Sequence, residues 1–300
     1  MSYIIFKNDL GELTFSGDNS SDFAIRNISG LGTPEKIYET RRFLDFDGQI
    51  TTSSRFDART ITMSVDITKG DASALSARLY RILSKGGTLY TYFKNGSRRI
   101  EVNQVSVDSF TSHGSLFRSF VIMFVCDNPY FFDALPITKP CYEIQKNICF
   151  NPETNSWNLD TLTIWGSNSN DVILNNSGDT AIYPIFTIHS MGASNDDAGI
   201  ELLRVDPYNP DNVIQRFKLL YPLSDGEVIT LCFNQRSDEN RRYIKSSLNT
   251  NLLNFRSEDS SLSGFYLEPG ENRVILNNLS YGNKLSASLY YDNQYIEGVY

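Results

Sequence analysis

The sequence lacks the residue groups on which metal sites depend. Its 300 residues hold two histidines and four cysteines, and no Cys-x-x-Cys pair occurs. Zinc sites usually place such ligands in closely spaced pairs. We therefore expect no metal site, and free thiols are the expected state of the cysteines in a reducing compartment.

Catalytic and nucleotide-binding motifs are missing as well. There is no Gly-x-Ser-x-Gly nucleophile elbow, no glycine-rich phosphate loop and no His-Glu-x-x-His. The two histidines, His113 and His189, are isolated in sequence, and a turn and a strand end are their expected positions. The sequence therefore predicts no catalytic residues, no cofactor and no enzyme.

Long apolar runs and a basic excess are also absent. No stretch approaches the roughly 18 apolar residues of a membrane span, and the N-terminus has no signal-peptide pattern. Residues 1–135 carry 15 basic and 15 acidic side chains, whereas residues 136–300 carry 12 basic and 20 acidic ones. We therefore expect a cytoplasmically made chain that binds neither a membrane nor a specific nucleic acid sequence.

Short alternating runs of polar and apolar residues are what the sequence has in abundance. Residues 59–67, RTITMSVDI, alternate in the manner of a half-buried strand. Residues 88–94 and 98–105 flank Asn95-Gly96, a strong hairpin signal. Residues 116–125 are apolar enough for a strand buried on both faces.

One amphipathic helix interrupts the strands. Apolar residues at positions 75, 79, 82 and 83 form a single stripe. Asp71 is the expected N-cap, and Gly86 is the expected left-handed stop. A lone helix of this kind covers one face of a small sheet or barrel, so the first half is expected to be β-rich with one helix.

The segment between Gly32 and Arg59 is polar and shows no clear periodicity, so it is predicted to be a structureless loop. Its mixture of charges suits a segment that reaches over a neighbouring subunit. The candidate subunit-contact residues are Arg41, Arg42, Phe43 and Asp45.

The second half contains many short strands separated by regular turns, which is typical of a β-sandwich. Pro136 and Pro140 bracket the expected junction. The fold class is therefore predicted as all-β with one helix, in two domains that comprise residues 1–135 and 136–300.

Three aromatic residues follow a proline where the last strand of the first half ends: Tyr130, Phe131 and Phe132. We expect them to fill the seam between the two domains, because burial of one such ring contributes about 1.5–3 kcal/mol. An exposed aromatic patch for a partner is the alternative.

Three motifs occur in a fixed order along the chain. They are Asp127-Asn128-Pro129-Tyr130-Phe131, then Asn176, Gly178 and Asp179 with Tyr183-Pro184, then Leu267, Pro269, Gly270 and Asn272. In this order the chain resembles the distal tail protein (Dit) family, the hub of long flexible phage tails and related prophage particles. Residues 141–170 have no counterpart in the resemblance.

The resemblance implies a fold and a structural role. The first domain would be a β-barrel-like sandwich similar to tail-tube subunits, and the second a galectin-like β-sandwich. Six copies would form a homohexameric ring in the virion tail, with a channel for DNA. The ring would join the tail tube protein to tail-tip, baseplate or receptor-binding proteins.

Two other functions are kept open. A carbohydrate-binding module of a virion or cell-surface protein is suggested by the galectin-like domain with Trp157 and Trp165, which would imply glycan contact. A glycoside hydrolase would need an acidic pair, for which Asp196, Asp197 and Glu201 are the candidates.

Overall fold

A computed structural model describes most of the chain. The described residues are 2–18, 20–42, 47–94, 96–111, 118–135, 137–142, 150–151, 156–157, 171–191, 199–235, 241–249, 251–279 and 284–298. They form 23 β-strands, one α-helix and one short 3-10 helix. The all-β class with one helix is thereby confirmed for the described part of the chain.

The elements up to the end of the first half are β1 (Tyr3–Asn8), β2 (Gly11–Ser16), β3 (Phe23–Ser29), β4 (Lys36–Arg42), β5 (Gln49–Phe56), β6 (Arg59–Ile67), α1 (Ala72–Leu83), β7 (Gly87–Phe93), β8 (Gly96–Val102), β9 (Gln104–Thr111), β10 (Arg118–Cys126) and β11 (Phe131–Asp133). The later elements are β12 (Ile137–Tyr142), β13 (Phe150–Asn151), β14 (Ser156–Trp157), β15 (Asp171–Asn176), β16 (Ile185–Met191), β17 (Ile200–Val205), β18 (Val213–Leu219), β19 (Val228–Cys232), β20 (Tyr243–Ser246), the 3-10 helix (Leu253–Phe255), β21 (Gly270–Asn278), β22 (Lys284–Tyr291) and β23 (Gln294–Tyr295).

The chain divides into two compact units. Unit 1 comprises Met1–Leu135 together with Gln294–Tyr300, and unit 2 comprises Pro136–Asn293. The sequence-based division had assigned the last seven residues to the second domain, and this assignment is wrong. They belong to unit 1 because β23 pairs with β11, where Phe131 lies opposite Tyr295.

Unit 1 is built on one ten-stranded sheet. The strand order is β23-β11-β8-β7-β1-β2-β3-β6-β10-β9. Although β8 and β10 lie six positions apart in this order, they contact each other, so the sheet folds back on itself around a core. Phe6, Phe15 and Phe124 are among the fully buried residues of that core. This curled sheet is the barrel-like sandwich that was expected.

Helix α1 covers part of this sheet with the predicted apolar stripe. Leu79, Ile82 and Leu83 are buried. The Asp71 side chain accepts a hydrogen bond from the backbone amide of Ser73, as an N-cap does. The predicted glycine stop is wrong, because Gly86 has no positive φ. A Cβ there would lie 2.5 Å from a backbone carbonyl oxygen of residue 102, so close packing requires this glycine.

Two other expectations for unit 1 need correction. The polar segment between residues 32 and 59 is not structureless, because β4 and β5 pair as an antiparallel hairpin within it. Strand β10 is not buried on both faces: Ile122 and Phe124 are buried, whereas Met123 between them is 41% exposed. The hairpin of β7 and β8 forms as predicted, with Phe93 opposite Gly96.

Unit 2 contains a β-sandwich. One sheet has five strands in the order β12-β22-β16-β19-β20, and the other has four in the order β15-β21-β17-β18. A single apolar core includes residues of both sheets, among them Phe186, Phe217 and Phe233. The ring of Phe233 contacts the rings of Phe186 and Phe217 edge-on, with centroids 6.0 and 5.0 Å apart. The sandwich predicted for the second half is confirmed.

Candidate assembly site

The β4–β5 hairpin is the most exposed pair of strands among the residues of unit 1 whose burial the structure describes. Every residue of β4 and every residue of β5 before Phe56 is exposed. The exposed residues include Ile37, Tyr38 and Ile50, with relative exposures of 36%, 57% and 52%. In the single subunit, both faces of the hairpin therefore present apolar side chains to solvent.

Two of the four predicted contact residues lie at the distal end of this hairpin. Arg41 pairs with Ile50, and Arg42 pairs with Gln49, so both arginines lie on exposed positions of the strand pair. Phe43 and Asp45, the other two, lie outside the described residues. The structure thus places part of the predicted set on a regular hairpin rather than on a loop.

The base of the hairpin is held by backbone and ring contacts. The amide of Asp57 donates to the carbonyl of Glu35 at 2.8 Å. The ring of Phe56 lies under the Lys36 ammonium at 5.1 Å and meets the ring of Tyr130 edge-on at 5.9 Å. Tyr130 therefore packs against the hairpin base in unit 1.

Arg59, at the start of β6, forms a buried node next to the hairpin. Its side chain is 2% exposed, and its guanidinium donates to four backbone carbonyl oxygens of unit 1. The acceptors are those of Pro129 at 2.7 Å, Gly30 at 2.6 Å, Gly32 at 2.5 Å and Ile296 at 2.5 Å. One side chain thereby ties three separate chain segments together.

The remaining predicted aromatics also have partners in unit 1. Phe131 is fully buried in the core and lies under the Arg59 guanidinium at 4.8 Å. Phe132, on the opposite face of β11, lies 5.6 Å from the guanidinium of Arg99. These contacts account for Phe131 as a core residue, and a role of the three aromatics at the domain seam stays a prediction.

The C-terminal segment is fastened to the same part of unit 1. The Tyr295 hydroxyl donates to the Asp133 carboxylate at 2.9 Å, and the Arg98 guanidinium lies 3.6 Å from the Tyr295 ring centre. The Gly298 amide donates to the Leu31 carbonyl at 2.7 Å. Sequence reasoning missed this set, because its members are far apart along the chain.

The two later motifs of the sequence meet in unit 2. The Asn176 amide nitrogen donates to the carbonyls of Thr180 and Leu267, and its oxygen accepts from the Gly178 amide. The buried Asn272 bonds in a similar way to both ends of its own turn and also accepts from Arg204. Both asparagines therefore stabilise turns of unit 2.

The candidate catalytic and metal-binding residues are only partly described. Among them, no three His, Cys, Asp or Glu side chains lie together as a metal site would require. Glu201 pairs with Arg216 at 3.3 Å and accepts from Asn277 at 3.0 Å. Asp196 and Asp197 lie outside the described residues, as does His113. His189 lies on an exposed position of β16.

Two free cysteines among the described residues are buried, Cys126 and Cys232. Burial raises the pKa of the Cys126 thiol to about 12. A thiol with such a pKa stays protonated at neutral pH and is a poor nucleophile. Within the described part of the chain, no helix is long and apolar enough to span a membrane.

The fold and these contacts define a two-unit, all-β protein with an exposed hairpin in unit 1. No protein-family model matches the sequence, and no curated protein matches it. Several solved structures, in contrast, match the chain in fold. The Dit protein of phage SPP1, a hub of the adsorption apparatus in phages that infect Gram-positive bacteria, is 11% identical, with a TM-score of 0.61. The match covers 98% of this chain and 99% of SPP1 Dit.

A second match is the phage P2 baseplate structure in its activated conformation with Ca. It is 12% identical and covers 96% of this chain and 97% of the baseplate chain, but its TM-score of 0.43 is too low to carry an argument. At 11% identity, the likeness to SPP1 Dit establishes the fold alone. The chain therefore has the fold of a Dit-type tail hub over nearly its whole length, and the resemblance seen in its sequence motifs is confirmed at that level.

Proposed function

We propose that this chain is a structural hub protein of a phage tail, which forms a homohexameric ring between the tail tube protein and the tail-tip or baseplate proteins. The observation that supports this most strongly is the end-to-end likeness in fold to SPP1 Dit, since it covers both units and leaves almost no part of either chain unmatched. The role is assembly rather than catalysis.

The β4–β5 hairpin supports a contact between subunits. A two-stranded hairpin is marginally stable in water when nothing packs on it, yet this one exposes both faces. Its apolar side chains and its arginines suit an interface that is completed by a second copy. A contact in which the hairpin of one subunit lies on a different surface of the next is heterologous, and such contacts close into a ring when the rotation between neighbouring subunits divides a full turn.

The charge of residues 1–135, the main part of unit 1, suits a ring through which DNA passes. Residues 1–135 carry equal numbers of basic and acidic side chains. Duplex affinity grows with each cation that neutralises a phosphate, and a lining without a cationic excess would let DNA move without sticking. We propose that the ring leaves such a channel and that the chain binds no specific nucleic acid.

The mass of the assembly tests the proposal. Multi-angle light scattering of concentrated protein and negative-stain images of assembled tails should both be examined, because assembly can require the tube as a template. A six-fold ring is the expected result. A single subunit both in solution and within assembled tails would overturn it. The matched control is a variant with a truncated β4–β5 hairpin, which should stay folded but remain a monomer.

The alternative of a carbohydrate-binding module stays a prediction. The side chains of Trp157 and Trp165, on which it was based, lie outside those that the structure describes. A glycan-array screen separates this function from that of a hub, because a hub needs no glycan affinity.

A further inference from the structure

The segment of residues 294–298 returns to unit 1 after the chain has passed through unit 2. Its short strand β23 pairs with β11, where Tyr295 lies opposite Phe131. Unit 2 comprises Pro136–Asn293, so the whole of that unit lies between the two paired strands along the chain. The 294–298 segment is therefore the last described part of unit 1 to be synthesised.

This segment contacts the chain that leads into the β4–β5 hairpin. The Gly298 amide donates to the Leu31 carbonyl at 2.7 Å. A Cβ at Gly298 would lie 3.3 Å from the Leu31 side chain and 3.2 Å from the Phe131 ring, so a larger residue would not fit there without a shift. Leu31 is buried, and four residues separate it from β4. The segment thereby holds the chain just before the hairpin.

The same segment contacts the chain that leads out of the hairpin. Arg59 follows β5 after two residues and donates to the Ile296 carbonyl at 2.5 Å. Its guanidinium also donates to the carbonyls of Gly30 and Gly32, which precede the hairpin. Because Arg59 is buried, its donors depend on acceptors of the protein. This one side chain therefore joins both ends of the hairpin to the 294–298 segment.

The base of the hairpin decides where its distal end lies. Every residue of β4 is exposed, so the direction of the strand depends on the contacts at the base. The seven residues of β4 span about 23 Å, at about 3.3 Å per residue. A rotation of about 10° at the base would move the distal end by about 4 Å. An interface packed as densely as a protein interior does not tolerate such a displacement.

We propose that the 294–298 segment is an assembly latch, which fixes the base of the β4–β5 hairpin in the direction needed for contact with a second subunit. Chains fold from the N-terminus as they are synthesised, and residues 1–135 precede the latch by the whole of unit 2. The hairpin therefore becomes fit for assembly only after unit 2 has been made, which keeps chains without unit 2 out of the ring. The assembly step rests on the proposed hub function, whereas the latch itself is measurable in a single subunit.

Hydrogen exchange of the full chain tests the latch without a ring. Gly298→Val forces a branched side chain against Leu31 and should displace the latch. The amide of Asp57, which donates to the Glu35 carbonyl at the base of the hairpin, should then exchange about tenfold faster. The matched control is Gly17→Val, because a Cβ at this exposed glycine meets no atom within 4 Å and should leave the exchange unchanged.

Strand β6 distinguishes a latch from a part of the core. Its amides should exchange in Gly298→Val as they do in the wild type, because its apolar side chains belong to the core of unit 1. Equal acceleration in β6 and at the hairpin base would mean that the segment supports the whole unit, and this would overturn the proposal. Unchanged exchange at the base would overturn it as well.

Sedimentation velocity tests the assembly step. Gly298→Val should weaken ring formation at least about tenfold, and a chain without residues 294–300 should weaken it further, although Gly17→Val should assemble as the wild type does. Normal ring formation by the shortened chain would overturn the proposal. A wild-type chain that forms no ring would contradict the hub function instead, and the exchange result would then decide by itself whether the segment fixes the hairpin.

Discussion

The β4–β5 hairpin and strand β6 are separated by two residues and differ completely in burial. Every second residue of β6, from Arg59 to Ile67, is buried, whereas the residues of β4 and all but the last of β5 are exposed. Both segments are rich in Thr, Ser and Ile, which favour strands. Strand propensity alone therefore does not decide whether a strand contributes to a core.

The difference indicates where each segment gains its stability. The inner face of β6 is covered by the apolar core of unit 1, and its first residue is the buried Arg59 node. The hairpin contacts the rest of unit 1 at its base, through Phe56 and Tyr130. We therefore expect substitutions in the first region to affect folding, and substitutions in the second to affect assembly.

The largest effect is expected at Phe131, next to the node. Phe131→Ala should lower the free energy of unfolding by about 3–5 kcal/mol, because a fully buried ring leaves a cavity. Phe132→Ala, on the more exposed face, should lower it by only about 1 kcal/mol. Urea unfolding monitored by circular dichroism measures both. Equal losses would show that Phe132 has a buried contact, as the seam hypothesis requires.

The second largest loss of stability is expected for a substitution at Arg59. Arg59→Lys keeps the charge, but a single ammonium cannot reach all four carbonyl oxygens that the guanidinium bonds. We expect a loss of about 3 kcal/mol in the free energy of unfolding, since hydrogen bonds to charged groups contribute about 1.5–3 kcal/mol each. Arg55→Lys on the hairpin is the matched control and should change stability by less than about 0.5 kcal/mol. A similarly small change in the free energy of unfolding for Arg59→Lys and Arg55→Lys would contradict the role of Arg59 as a buried node.

Substitutions in the β4–β5 hairpin should leave the stability of the subunit nearly unchanged and should weaken assembly instead. Tyr38→Ser and Ile50→Ser remove exposed apolar side chains, so the stability of the isolated subunit should change by less than about 0.5 kcal/mol each. Ring formation should weaken by about tenfold for each substitution if these residues are anchors of the interface. Sedimentation velocity over a concentration series measures this, and unchanged assembly would remove the hairpin from the interface.

The smallest effect concerns the buried thiol of β10. Because burial raises the pKa of Cys126 to about 12, almost none of its thiolate is present at pH 8. We expect no labelling of Cys126 by a thiol reagent in the folded protein and rapid labelling in urea. A Ser53→Cys variant on the exposed hairpin should react in the folded state. Peptide mapping by mass spectrometry identifies the labelled residue, and early labelling of Cys126 would mean that unit 1 opens readily.

Sequence reasoning succeeded where the pattern is local. The apolar stripe of α1 and its Asp71 cap follow from residues within one or two helical turns of each other. The hairpin of β7 and β8 follows from the turn preference of Asn95-Gly96. The sandwich of unit 2 follows from many short alternating strands. Each of these signals depends on neighbours in sequence, so the chain itself contains the information.

Sequence reasoning failed where a strand has no alternation of polar and apolar residues. The β4–β5 hairpin has no alternation between buried and exposed residues, because neither face is buried within the subunit. Periodicity reports burial rather than strand formation as such, so the hairpin was interpreted as a loop. Strand β10 was mispredicted for a different reason: its burial does alternate, but the exposed position between Ile122 and Phe124 is occupied by the apolar Met123, so the sequence shows no alternation in polarity.

The sequence by itself determined the class of the fold, the single helix and the turn motifs. Only the tertiary structure decided that Arg59 is a buried node and that the last residues return to unit 1. The hydrogen bond from Arg59 to Ile296 joins residues 237 positions apart. No local pattern specifies such a contact, because it depends on how the long chain between the two residues closes, and that is fixed only when the whole sheet has formed.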